Sequence, residues 1–162
     1  LLIRPGGKPT NEEAPLKTIV IPLDGSGLAE TVLPYAMELA QKMKGEIVLL
    51  RAYALPVSIY SGTDDYVANL EELNAQLREE AREYLDEKVQ ELKRKGIEKV
   101  SAVLLEGYGA AEIIEFAKKT SANLVAMCTH GRSGVGRWVL GSVTERVVQN
   151  SGDPVLVIRA QS

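Results

Sequence analysis

The chain has 162 residues, 45% of them hydrophobic and 25% charged, which suits one globular domain with a substantial core. Its net charge of −3, from 19 basic and 22 acidic residues, makes it a poor general nucleic-acid binder, because counterion release needs a clustered basic face. No apolar run approaches membrane-spanning length and no signal pattern opens the sequence, while one cysteine and one histidine exclude a disulfide framework and a zinc site of familiar spacing. This cysteine usage suits a reducing cytoplasm.

In chain order, "KTIVIPLD" (17–24) is a short β-branched apolar run ended by Asp-Gly-Ser, and reads as a buried strand. Leu28, Val32, Ala36, Leu39, Ala40 and Met43 then recur at helical spacing, predicting one helix over 28–43 stopped by Gly45. "EIVLLRAY" (46–53) is the second strand, followed by a polar loop at 54–68 that could cover a site. A long amphipathic helix comes next, with Leu70, Leu73, Leu77, Ala81, Leu85, Val89 and Leu92 on one stripe, ending at Gly96. "KVSAVLLEG" (99–107) is strand three, "AAEIIEFAKKT" (110–120) helix three and "ANLVAMC" (122–128) strand four. "SVTERVVQN" (142–150) and "DPVLVIRA" (153–160) give the last helix and strand five.

Strands alternating with helices, and apolar almost throughout, predict an α/β fold: a doubly wound parallel five-stranded sheet with helices on both faces. Ligands in such sheets sit outside the carboxyl ends of the strands, where the winding direction reverses. If strands one and four are neighbours, Asp24 faces that point, and so does the glycine-rich stretch after strand four. The domain is expected over 17–162, with 1–16 as an extension or linker. Leu1–Arg4 match Leu156–Arg159 in character, so residues 1–5 read either as the last strand of a preceding homologous domain or as an arbitrary start.

"HGRSGVGRW" (130–138) comes close to a P-loop, but Arg137 replaces the phosphate-binding lysine and Trp138 cannot ligate magnesium. A nucleophile elbow fails because Val135 occupies the last glycine position. Ser142-Val143-Thr144-Glu145 has the S-x-x-E form of a capping box, in which Ser142 would satisfy a free amide. The same helix start could instead hold a phosphate, with Gly141 permitting close approach of the anion. Arg132, Arg137 and Arg146 against Glu145 leave this region with two excess positive charges, which favours anion binding.

"PLDGSGLAE", "AMCTHGRSGVGRWVLGSVTERVV" and "DPVLVIR" together resemble the universal stress protein family over roughly residues 16–160. The resemblance extends to its ATP-binding branch through the spacing Gly131, nine residues, Gly141-Ser142, although Cys128 stands where that motif has its first glycine. It implies strand order 3-2-1-4-5, the adenine nucleotide alpha hydrolase-like arrangement, and a homodimer paired through strand 153–159. It also implies adenosine contacts at Pro22, Leu23, Asp24, Ala52 and Met127, and phosphate contacts at Gly131, Arg132, Gly141, Ser142 and Val143. The implied ligand is ATP or AMP, with Mg if a triphosphate is bound, and no nucleic acid or membrane partner. No residue stands out as catalytic, so hydrolysis would be slow at most. Cysteine at 128 costs little in extended backbone, but at positive φ it would cost roughly 1–2 kcal/mol and crowd the ligand. The alternative is a family member that binds no nucleotide and works through protein contacts alone.

Overall fold

The computed structural model describes residues 2–3, 16–54, 64–120, 123–129 and 140–159. Its elements are β1 (Leu2–Ile3), β2 (Thr18–Pro22), α1 (Gly27–Glu30), α2 (Leu33–Met43), β3 (Glu46–Tyr53), α3 (Asp64–Arg94), β4 (Val100–Glu106), α4 (Gly109–Lys119), β5 (Asn123–Cys128), α5 (Ser142–Asn150) and β6 (Val155–Ile158). Strands β2 to β6 are parallel and lie in the order β4-β3-β2-β5-β6, which is the expected 3-2-1-4-5. A sixth strand extends this sheet: β1 runs antiparallel to β6, with Leu2 opposite Leu156 and Ile3 opposite Val155.

Alternation along the central strands divides the core between two faces. Ile19 and Ile21 of β2 point to one side, with Val32, Ala36 and Ala40 around α2 and Leu85, Val89 and Leu92 of α3. Val20 points to the other, with Val125 and Met127 of β5, Ile113 and Ala117 of α4 and Val147 of α5. Among the described side chains of α3, Ala81, Leu85, Val89 and Leu92 are buried, whereas Leu70, Leu73 and Leu77 stay partly exposed. Among the described residues no helix is long and apolar enough to cross a membrane.

The helix expected over 28–43 is two helices. Thr31 ends α1, and Pro34 lies in the first turn of α2. Proline has no amide to bond back to Glu30, so the ladder breaks there while the apolar stripe continues. At the end of α2 the left-handed residue is Lys44, with φ 53°, rather than Gly45. Gly45 has a different task, since a Cβ there would stand 2.7 Å from the Lys17 carbonyl oxygen where the helix returns to the sheet.

Candidate functional site

With β3 on one side of β2 and β5 on the other, the winding reverses between β2 and β5. At their carboxyl ends lies a cavity of about 260 Å³. Pro22, Leu23 and Asp24 after β2, Ala52 of β3, Met127 of β5, and Gly141, Ser142 and Val143 at the start of α5 all line it. Eight of the ten residues implied by the resemblance are thus brought together. The other two, Gly131 and Arg132, lie outside the described residues, as do His130, Ser133, Arg137, Trp138 and residues 55–63 of the stretch expected as a loop at 54–68.

The walls are mainly apolar. Leu23 and Met127 are buried, and the β2–β3 pairing continues one residue past the strand through the Leu23 amide, which donates to the Leu50 carbonyl at 2.8 Å. The polar groups enter from opposite ends. Asp24 Oδ1 accepts from the Ser26 amide at 2.9 Å and from its hydroxyl at 2.6 Å. Ser26 Oγ in turn accepts from the Ala29 amide at 3.2 Å and caps α1. This turn depends on Gly25, whose φ of 83° is left-handed. It holds the Asp24 carboxylate beside the cavity.

At the other end, the expected capping box does not form. The helix begins at Ser142, its N-cap is Gly141 with φ −57° and ψ 149°, and no side chain caps it. Ser142 is the first helical residue rather than the one before it, too far into the helix to cap the free amides of the first turn, so the dipole end of α5 faces the cavity without a side-chain acceptor. Gly141 is also tied to the residue that follows β5, its amide donating to the Thr129 carbonyl at 2.7 Å. Thr144 clamps the same helix end to the sheet, its hydroxyl donating to the Cys128 carbonyl at 2.9 Å.

Cys128 is the last residue of β5 and pairs with Ile158 of β6. Lys44 is the only non-glycine residue with positive φ among those described, so Cys128 has ordinary extended backbone. The costly conformational case for a cysteine at this place therefore does not arise. Its buried Sγ lies 3.3 Å from Thr31 Oγ1, on the α1 side of the cavity.

Sequence reasoning missed several wall residues, namely Ala29, Leu50, Gly109, Ile113 and Thr144, whereas Cys128, which it set beside the ligand, does line the cavity. It also missed a polar cluster behind the Asp24 turn. Arg51 is buried, its guanidinium 4.9 Å from the centre of the Tyr84 ring and 3.5 Å from Glu80, next to the place where a side chain on Gly25 would begin. The Tyr84 hydroxyl donates to Glu30 at 2.9 Å, and Lys88 pairs with the other Glu30 oxygen at 2.7 Å, tying α1 to α3. Burial, followed by the Glu30 hydrogen bond, raises the Tyr84 phenol above its ordinary range. For Lys88, burial works to lower the pKa, but the bonds to Glu30 and Glu91 outweigh it and hold the ammonium above its usual value. Among the described residues there is no group of three His, Cys, Asp or Glu side chains able to hold a metal.

Known proteins resemble this chain in sequence and in fold. The model of the universal stress protein family matches residues 15–159. The chain belongs to that family. Universal stress protein MJ0531 of Methanocaldococcus jannaschii is 37% identical over 149 residues, covering 92% of this chain and 85% of the relative. Among solved structures, the universal stress protein UspA from Lactobacillus plantarum superposes with a TM-score of 0.74 at 21% identity, over 91% of this chain and 99% of the other. The Archaeoglobus fulgidus universal stress protein in complex with dAMP gives a TM-score of 0.59 at 21% identity, over 88% and 97% of the two chains. At such identities the structural matches speak for the fold.

Proposed function

We propose that this universal stress protein domain is a cytoplasmic regulatory module that binds an adenine nucleotide, ATP or AMP, and signals through pairing of two copies along strand 153–159. The observation that carries the reading is the pairing of polar groups across one apolar cavity. An uncapped α5 N-terminus with Gly141 stands at one end and the Asp24 carboxylate at the other.

Each part of a nucleotide has a suitable counterpart. A purine is flat and largely apolar, and suits the walls formed by Leu23, Ala52 and Met127. Ribose hydroxyls are donors, and a carboxylate held by its own turn is their natural acceptor. Phosphate oxygens suit helix-start amides, which need no charged side chain to attract an anion. Gly131 and Arg132, between Thr129 and Gly141 in the sequence, would add to the phosphate end. The family relative in complex with dAMP supports an adenine nucleotide as the ligand class. Magnesium would arrive with a triphosphate. We assign no catalytic residue, and the module acts by binding, with slow hydrolysis at most.

The test is direct. Purified protein is denatured and the supernatant examined for released adenine nucleotide, and the stripped, refolded protein is titrated with ATP, Mg-ATP and AMP. Ligand at 100 times its dissociation constant should stabilise the fold by about 2.7 kcal/mol. No stabilisation at millimolar nucleotide would refute the reading, and leave a domain that works through protein contacts alone.

A further inference from the structure

We propose that Arg51 is a positioning residue of the nucleotide site, whose flat guanidinium lies under the Gly25 turn and fixes the Asp24 carboxylate where it meets the ribose. The inference rests on the reading that Asp24 accepts from ribose hydroxyls, and adds what gives that acceptor its place.

Arg51 is not part of the cavity wall. Successive residues of a strand point to opposite faces, so Leu50 and Ala52 of β3 line the cavity while Arg51, between them, turns toward α3. There it is buried, and its neighbours are specific. A Cβ on Gly25 would stand 3.4 Å from each of Arg51 Nη1 and Nη2 and 3.5 Å from Cζ. A point so nearly equidistant from these three atoms lies over the flat face of the guanidinium; beyond its edge, Cζ would be clearly the farthest. The Tyr84 ring is centred 4.9 Å from the same Cζ. Arg51 is thus a plate that joins the Gly25 turn to α3.

An ion pair does not account for this burial. Glu80, paired with Arg51 at 3.5 Å, is exposed, and pairs with exposed partners are worth little. The packing instead closes a circuit around Asp24. Asp24 Oδ1 holds the Ser26 amide and hydroxyl, Ser26 caps α1, and α1 carries Glu30. Glu30 accepts from the Tyr84 hydroxyl, the Tyr84 ring meets Arg51, and Arg51 meets Gly25, the neighbour of Asp24. The turn is therefore held from both of its ends. The two charges share one neighbourhood as well. Burial and Glu30 do most to raise the Tyr84 phenol, while Arg51 opposes them and Asp24 adds to them. An acceptor fixed before the ligand arrives loses little freedom on binding, and that advantage reaches only a ligand with hydroxyls to offer it.

The experiment titrates ATP and 2′,3′-dideoxy-ATP, by calorimetry, into the nucleotide-stripped intact chain and into the variants Arg51→Lys and Arg51→Met. The ratio of the two dissociation constants measures how strongly the ribose is read. Lysine keeps the charge without the flat face, and methionine loses both. Circular dichroism and the melting temperature establish which variants are folded. The intact chain should prefer ATP at least about tenfold. Arg51→Lys should cut that preference at least about threefold and Arg51→Met to below about twofold, with dideoxy-ATP bound within about twofold of the intact chain by both. A loss that falls equally on the two nucleotides would make Arg51 a residue of the fold alone, and an unchanged preference in either folded variant would make the turn independent of the plate. Either result overturns the inference and leaves the nucleotide reading standing. Equal binding of the two nucleotides by the intact chain would take Asp24 away from the ribose, and the inference with it. Binding of neither by the intact chain would overturn the nucleotide reading too.

Discussion

Replacing Gly141 with valine isolates the phosphate end of the cavity. At φ −57° and ψ 149° this backbone is open to any L-residue, so the glycine is not required by conformation. Its amide bond to the Thr129 carbonyl is also kept. The cost to the empty protein is the poorer N-cap, about 0.5–1 kcal/mol, which lowers the melting temperature by roughly 1–4 °C in a domain of this size. The effect on binding is much larger, because the new isopropyl group stands at the cavity wall where the anion must approach the start of α5. In the intact protein, ligand at 100 times its dissociation constant adds about 2.7 kcal/mol, or roughly 5–11 °C. If valine weakens binding about 100-fold, the same ligand concentration adds only about 0.4 kcal/mol, roughly 1 °C. Differential scanning fluorimetry of the nucleotide-stripped proteins, with calorimetric titration alongside, measures both quantities. A Gly141→Val protein that folds and keeps the full ligand shift would refute the assignment of this helix start to phosphate.

Three further outcomes follow from the same geometry. Asp24→Asn keeps an oxygen to accept from Ser26 but loses the charge, so the empty fold should change by less than about 0.5 kcal/mol while nucleotide affinity falls about 10–100-fold, as titration will show. Arg51→Met removes the contact with Tyr84 and the ion pair with Glu80, whose side chain is 68% exposed. That should cost about 1–2 kcal/mol in denaturant unfolding, with an unchanged midpoint counting against a role for the cluster. Asp153 is raised above its ordinary value, chiefly by burial and against a hydrogen bond from Asn123, and its buried Oδ2 has no hydrogen-bond partner among the described residues. A raised carboxyl contributes stability below its unfolded pKa of about 3.9 and loses it as the pH climbs through the folded value. Asp153→Asn should therefore be more stable than the intact chain at pH 7, with the gain vanishing near pH 3; a gain independent of pH would contradict this.

The alternation of strands and helices, the polar turn at Asp24 and the glycine before the last helix were all legible in the amino-acid sequence. These are local properties: apolar periodicity, a turn tripeptide after a strand, and a helix start can each be read within a few residues. Pro34 was equally legible, and its break in the 28–43 helix was hidden only because the apolar stripe runs straight across it. Spacing also placed an acceptor at Ser142, but the cap falls to Gly141, whose amide is held by the Thr129 carbonyl beyond the end of β5.

Other features belong to no segment. Gly109, Ile113 and Thr144 reach the cavity because α4 and α5 pack side by side on one face of the sheet, and Arg51 meets Tyr84 because α3 crosses the other. Whether Cys128 sits in extended or left-handed backbone depended on its pairing with Ile158, thirty residues away in the chain. The place of Leu2–Ile3 on β6 likewise joins segments at opposite ends of the sequence. Pairing and packing of this kind depend on which surfaces remain open after the sheet has formed, and residue spacing within one segment carries no record of that.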